Sequence, residues 1–426
     1  LTSSENRLHH RVPLGSMLVA AFSTIVEWYD FTLYLYFATT LSHVLFGGGE
    51  ASLLAALASF AIAYLMRPLG AIVFGHIGDR MGRRFTLLIS MIIMTVAMLL
   101  LGLLPTYAQI GAASGWLLLL LRCIMGFAVG GEYTGVVAYL LESAPPRRRG
   151  LIASLAAAAS EVGALLAVGV AALTVHSVSE AQLATWGWRI PFLVGAALAL
   201  IVWFARASMQ ESPDFERQRA SGTRPENPLW RVLKHHRLGI YRAFAISALG
   251  SITYYVGITY APVFLASAGA MADRDALWLS TLAAIMVIAV TPVTGLLADR
   301  FGRKPVLIAL AIASAVLPIT LFWLMARGAK PDALIGVLIL AALAGGVSAV
   351  GAVATAEQFP GEGRLSGLAF GATAATAVFG GLTPYLAQLL IDRTGWTLAP
   401  GAMIACVALA VLRVFLFAPE TAIKAK

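Results

Sequence analysis

Charge is what this chain has least of. Asp, Glu, Lys and Arg make up only 12% of its 426 residues, about half the share in soluble proteins, while 59% are hydrophobic. A soluble fold of this length could not cover so much apolar side chain, which excludes a string of water-soluble domains and leaves lipid as the solvent. Cysteine is almost absent. Cys123 and Cys406 both lie within apolar runs, so there is neither a disulfide framework nor a metal-ligand spacing. No Walker loop is present, so ATP is not expected to drive whatever the chain does. The apolar runs also lack a ligand cluster, a nucleophile elbow and a His/Asp pair, so a non-enzyme without cofactor or metal is expected. The segment before Pro13 has no apolar core, so no cleavable signal peptide is expected and the first apolar run should act as the membrane signal.

What the chain does have is apolar runs separated by short polar breaks. They cover residues 14–41, 51–77, 85–104, 115–141, 150–174, 189–207, 240–267, 276–298, 305–326, 333–356, 366–391 and 397–418. A spanning helix takes roughly 20 residues, and lipid offers no partner to backbone polar groups, so every run must be helical. The longest polar break holds Pro213, Pro225 and Pro228. It divides the chain into a six-helix bundle at 1–206, a linker at 207–239 and a second six-helix bundle at 240–426. Lys and Arg favour cytoplasmic loops. With both termini inside, 22 of the 30 basic residues fall on the cytoplasmic side and four outside. That bias accounts for the net charge of +9 without nucleic acid as a partner.

The two halves repeat. Gly75-His-Ile-Gly-Asp79-Arg80-Met-Gly82-Arg83-Arg84 follows the second run, and Gly295-Leu-Leu-Ala-Asp299-Arg300-Phe-Gly302-Arg303-Lys304 follows the eighth, 220 residues later. At an offset of 215, Glu142, Pro145 and Arg149 match Glu357, Pro360 and Arg364, and Gly130-Gly131 matches Gly345-Gly346. Parallel six-helix repeats are one plan for secondary transporters, with the substrate between halves near the bilayer midplane.

The repeated Gly-x-x-x-Asp-Arg-x-Gly-Arg-Arg/Lys loop resembles the signature of the major facilitator superfamily over the whole chain. Glu27-Trp-Tyr-Asp30-Phe, Arg67-Pro-Leu-Gly, Arg122-x-x-x-Gly126-Phe-x-x-Gly130-Gly131-Glu132 and Trp186-Gly-Trp-Arg-Ile-Pro191-Phe look like its metabolite:proton symporter family. That family takes in permeases for citrate, 2-oxoglutarate, shikimate and proline or betaine. Phe379-Gly-Gly-Leu-Thr-Pro384 most resembles the citrate type, whereas Glu161 stands where the resemblance leads one to expect Gln. The resemblance implies an all-α bacterial inner-membrane protein of twelve helices, monomeric, with lipid, a small organic acid and protons as its partners.

Charges deep in a membrane are functional candidates by default. Asp30, Glu27, Glu132 and Glu161 are the candidate proton-coupling acids. Arg67 is expected to pair with Asp30, and Glu132 with Glu161 to share a proton. Arg67, Arg122, Tyr29, Thr253, Tyr254 and Thr383 are the candidate substrate contacts, Arg122 because its planar fork suits a carboxylate. Asp79, Arg80, Arg83, Asp299, Arg300 and Arg303 are expected to gate. Their aspartates can pair with arginines across the halves or accept hydrogen bonds from a helix N-terminus. The function expected is proton-coupled symport of a small organic acid, a di- or tricarboxylate such as citrate first. The alternatives are a carrier of a zwitterionic osmolyte or monocarboxylate, an exporter or uniporter, and a sensor that transports nothing.

Overall fold

The computed structural model describes residues 12–48, 50–222, 228–268, 271 and 273–422. Among them ten helical stretches are long and apolar enough to cross a membrane, of which 113–143 is interrupted at Gly131 and 364–394 by wider turns at Ala369–Thr373 and Ala377–Gly381. Two further spans are broken rods. Span one, residues 14–46, runs as Leu14–Phe22, Thr24–Tyr36 and Ala38–Phe46. Span seven, residues 237–267, runs as Arg237–Tyr254, a wider turn at Tyr255–Thr259, and Ala261–Ser267. The wider turn is closed by the Tyr260 N–H bonding back five residues to the Tyr255 carbonyl at 2.9 Å. The twelve spans are completed by two (Glu50–Met81), three (Arg83–Gly102), four (Ala113–Ser143), five (Arg149–Ser177), six (Arg189–Ala207), eight (Asp273–Phe301), nine (Arg303–Ala326), ten (Lys330–Ala356), eleven (Arg364–Thr394) and twelve (Ala399–Phe417).

Each bundle repeats the same packing. Span two lies along four, three along six and one along five; eight lies along ten, nine along twelve and seven along eleven. Small residues set these distances. A Cβ at Gly126 would collide with the Ala63 carbonyl, and one at Gly130 with the Arg67 carbonyl, so spans two and four touch backbone to backbone where Arg67 projects. The bundles meet through span five against spans eight and ten, and span two against span eleven.

Two apolar clusters bridge the bundles at different depths. One joins Val137, Leu141 and Ala153 to Val232, Val353, Phe359 and Leu365, near the end of the molecule that carries the repeated loops, here called the basic face. The other, toward the opposite end, joins Phe31 and Tyr64 to Tyr255.

The 207–239 break is more than a polar linker. It forms helices Pro213–Ser221 and Pro228–His235, with Phe215 and Val232 buried and Arg231 paired to Glu362 at 2.9 Å. Arg206, at the end of the apolar run 189–207, is fully buried at the end of span six.

Candidate functional site

The basic face is held by a doubled network. Asp79 accepts from the Leu365 N–H (3.3 Å), the Ser366 N–H (3.0 Å) and the Ser366 hydroxyl (2.8 Å), at the N-terminus of span eleven. Asp299 accepts from the Gly150 and Leu151 N–H groups, at 2.8 and 2.9 Å, at the N-terminus of span five. Of the two expected options, each aspartate therefore takes a helix N-terminus of the other bundle, where free N–H groups and the helix dipole favour an anion. Arg83 and Arg303 pair with Asp79 and Asp299 inside their own bundles, at 3.2 and 3.1 Å. Arg83 and Arg303 also reach Glu142 and Glu357, which repeats the pattern of the two loops. Arg80 and Arg300 are exposed at the same face.

Two glutamates complete this network, and the sequence reading missed both. Glu211 accepts from the Arg83 and Arg84 N–H groups, and Glu420 from those of Arg303 and Lys304. Gly82 and Gly302 sit at φ +112° and +104°, and a Cβ on either would strike the capping carboxylate. Burial pushes the Glu211 carboxyl above its usual range, against the pull of the N–H groups of Ser212, Arg84 and Arg83 and the charge of Arg83. The signal that could have exposed the pair is Glu211-Ser212 matched by Glu420-Thr421, whose hydroxyls both donate to the Glu142 and Glu357 carboxylates at 2.5 Å.

The two halves of the network are unequal. Among the described residues, a buried ion pair crosses between the bundles at the Asp79 end alone, from Arg364 to Glu142 at 2.7 Å. There Arg83 also donates to the Gly361 carbonyl at 2.8 Å.

Between this network and the Phe31–Tyr64–Tyr255 cluster lies a cavity of about 200 Å³, walled by both bundles. Tyr64 and Tyr255 close hydroxyl to hydroxyl at 2.6 Å on its far side. Among the residues that line it, three are charged: Glu27, Arg67 and Glu161. Arg67 Nη1 meets Glu27 Oε1 at 3.2 Å, and its guanidinium lies over the Tyr64 ring at 4.5 Å. Glu27 Oε2 and Trp28 Nε1 are buried and find no partner among the described residues. Glu161, in span five, accepts from the Tyr254 hydroxyl of span seven at 2.5 Å.

The expected pairing of Arg67 with Asp30 does not form. Arg67 takes Glu27, and Asp30 takes Arg122, whose Nη1 meets both carboxylate oxygens at 3.0 and 2.8 Å while its guanidinium lies over the Tyr34 ring. The reason is helical: Glu27 and Asp30 share a face three residues apart, but Arg67 and Arg122 approach it from different spans, each reaching one turn. Glu132 and Glu161 do not meet. Glu132 is fully buried inside the first bundle, paired to Arg206 and accepting from Ser90 at 2.6 Å. Tyr29 is also in that core and donates to the Pro191 carbonyl at 2.7 Å. Thr253 and Thr383 spend their hydroxyls on carbonyls of their own helices, Leu249 and Phe379, at 2.7 and 2.8 Å. None of these three lines the cavity, whereas Tyr254 does.

A pair of repeated membrane-spanning bundles, joined by matching networks beside a central cavity, is the architecture of a carrier. Residues 16–224 match the family model described as sugar (and other) transporter, and residues 270–426 that of the major facilitator superfamily. The chain is 34% identical over 395 residues to the ectoine/proline transporter ProP of Corynebacterium glutamicum, covering 89% of this chain and 78% of that one. It is 31% identical over 391 residues to the citrate-proton symporter of Klebsiella pneumoniae, covering 91% and 88%. The fold matches the proton:xylose symporter XylE with a TM-score of 0.79 over 96% of each chain, at 21% identity. The chain belongs to the major facilitator superfamily and is a transporter, one of the relatives that the sequence resemblance to metabolite:proton symporters pointed to.

Proposed function

We propose that the chain is a proton-coupled symporter of a small zwitterionic solute, working by alternating access in a bacterial inner membrane with the basic face cytoplasmic. The observation that carries the coupling is the Glu27–Arg67 pair in the cavity wall, joined by one bond at 3.2 Å with the second Glu27 oxygen unpartnered. A solute carboxylate that takes Arg67, whose planar fork suits it, deprives Glu27 of its counter-ion. A buried carboxylate in that position takes a proton rather than remain charged in low dielectric. Solute and proton therefore enter together. Asp30, already neutralised by Arg122, is a less fitting carrier in this scheme.

The charge count favours the zwitterion over citrate. One arginine stands among the cavity liners against two glutamates, so a tricarboxylate would bring charges that nothing there balances. With a zwitterion and a proton aboard, the three charged side chains and their load sum to zero. Ectoine and proline, named for one relative, are zwitterions.

The deciding measurement is uptake into proteoliposomes of radiolabelled proline and citrate under an imposed inward proton gradient. Proline is expected to accumulate and to leak away on adding a protonophore. Each cycle should carry one positive charge, so an inside-negative potassium diffusion potential should raise accumulation further. Uptake of citrate alone, or accumulation indifferent to the protonophore, contradicts the reading.

The networks at the basic face serve as the cytoplasmic gate in this scheme, with Asp79, Arg83, Asp299 and Arg303 in it and the two unequal halves yielding unequally. Hydrogen bonds to a charged acceptor contribute roughly 1.5–3 kcal/mol each. Asp79→Asn is expected to shift the population toward the inward-open state about tenfold, and Asp299→Asn by less, read as spin-label distances across the cytoplasmic mouth. Equal shifts would contradict the inequality. The proposed bundles at 1–206 and 240–426, joined by the cytoplasmic segment 207–239, are tested by labelling Ser221→Cys in a background with Cys123 and Cys406 replaced by Ser. Reaction with an impermeant maleimide is expected only in inside-out vesicles.

A further inference from the structure

Glu161 is set apart from the other deep acids. Glu27, Asp30 and Glu132 each face an arginine, namely Arg67, Arg122 and Arg206. Glu161 has no such partner among the described residues. Its bond is from the Tyr254 hydroxyl to Oε1, at 2.5 Å, and the side chain fronts the central cavity. Around it the wall is aromatic. Trp28 and Tyr254 pack edge to face with centroids 5.3 Å apart, Tyr255 follows at 5.6 Å from Tyr254, and Tyr133 lines the same space. Glu27 and Arg67 also line this cavity, so it holds one side chain that suits an anion and, separately, an unpaired carboxylate among rings. Ring faces and a carboxylate both attract a cation, most strongly where water is excluded, and quaternary ammonium groups are bound in this way.

We propose that Glu161, Trp28 and Tyr254 form the subsite for the positively charged end of the transported solute, and that Glu161 is the residue separating a zwitterion from an anion of the same shape. This rests on the reading of the cavity as the transport site. It gives Glu161 a duty other than proton carriage. A proton on Glu161 would compete with the solute's cation, whereas a proton on Glu27 is required by the solute's carboxylate. The two acids thus divide the work: one is neutralised by solute and the other by proton.

The test uses two probes of one shape at pH 7, glycine betaine and 3,3-dimethylbutanoate, in which carbon replaces the quaternary nitrogen. Binding to the full purified chain is measured by calorimetry. The wild type is expected to bind glycine betaine at least tenfold more tightly than the isostere. Glu161→Gln should bring the two affinities to within about twofold by weakening betaine alone. Unchanged binding of the isostere then shows that the variant is folded, and Glu161→Asp should restore part of the preference. A wild type that binds both probes equally, or a preference that survives in Glu161→Gln, overturns the subsite while leaving the transport site standing. If neither probe binds the wild type, or Arg67→Gln binds both as well as the wild type does, the cavity reading falls and the subsite with it.

Discussion

Glu27→Gln in proteoliposomes is expected to exchange internal for external solute at close to the wild-type rate and to lose accumulation against a gradient altogether. Glutamine keeps the length of the side chain and resembles a glutamate that already carries its proton, so solute can still take Arg67 and the bundles can still rock. Exchange moves no net protons, and accumulation does. The physical lever is the single 3.2 Å bond between Arg67 and Glu27, which leaves the arginine available to a competing carboxylate. Arg67→Gln should instead abolish both exchange and accumulation, because it removes the anchor for the solute as well as the partner of Glu27. Asp30→Asn is the control: its carboxylate is held at both oxygens by Arg122. If that variant uncouples while Glu27→Gln still concentrates solute, the proton travels on Asp30.

The second large effect concerns stability. Glu132 and Arg206 are both fully buried and pair with each other, and Arg206 also donates to the Leu87 carbonyl at 2.7 Å. Removing one member of such a pair strands a charge and costs about 3–5 kcal/mol, while removing both leaves no charge to strand. Glu132→Gln and Arg206→Met should each lower the unfolding midpoint in detergent sharply, and the double variant should regain most of the loss. Transport per folded molecule should change little. A Glu132→Gln protein of normal stability that no longer accumulates solute would instead make Glu132 a proton carrier.

Much of the fold could be read along the chain because lipid leaves the backbone few options. Each apolar run had to be a helix, and the spans observed agree with the runs read from composition to within several residues at most ends. The Asp79 and Asp299 loops announced the repeat, since an aspartate and a positive-φ glycine at matched offsets are not needed merely to hold a loop in place. The residues near the candidate site were also visible one by one. Glu27, Arg67 and Glu161 stood out because charge is rare in such helices.

The sequence by itself determined which helices exist, that they come in two related sets, and which few charged residues had to be housed inside them. Only the tertiary structure decided the partners. Glu27 and Asp30 lie three residues apart on one helix face, so spacing alone could not say which of Arg67 and Arg122 each acid would meet. Arg206 stands at the end of the run 189–207, and nothing along the chain says that this end packs against Glu132. Pairing is set by the rotation and depth at which separate helices pack. That is governed by small residues such as Gly126 and Gly130, whose effect is to let two backbones touch and which leave no mark on hydropathy or charge.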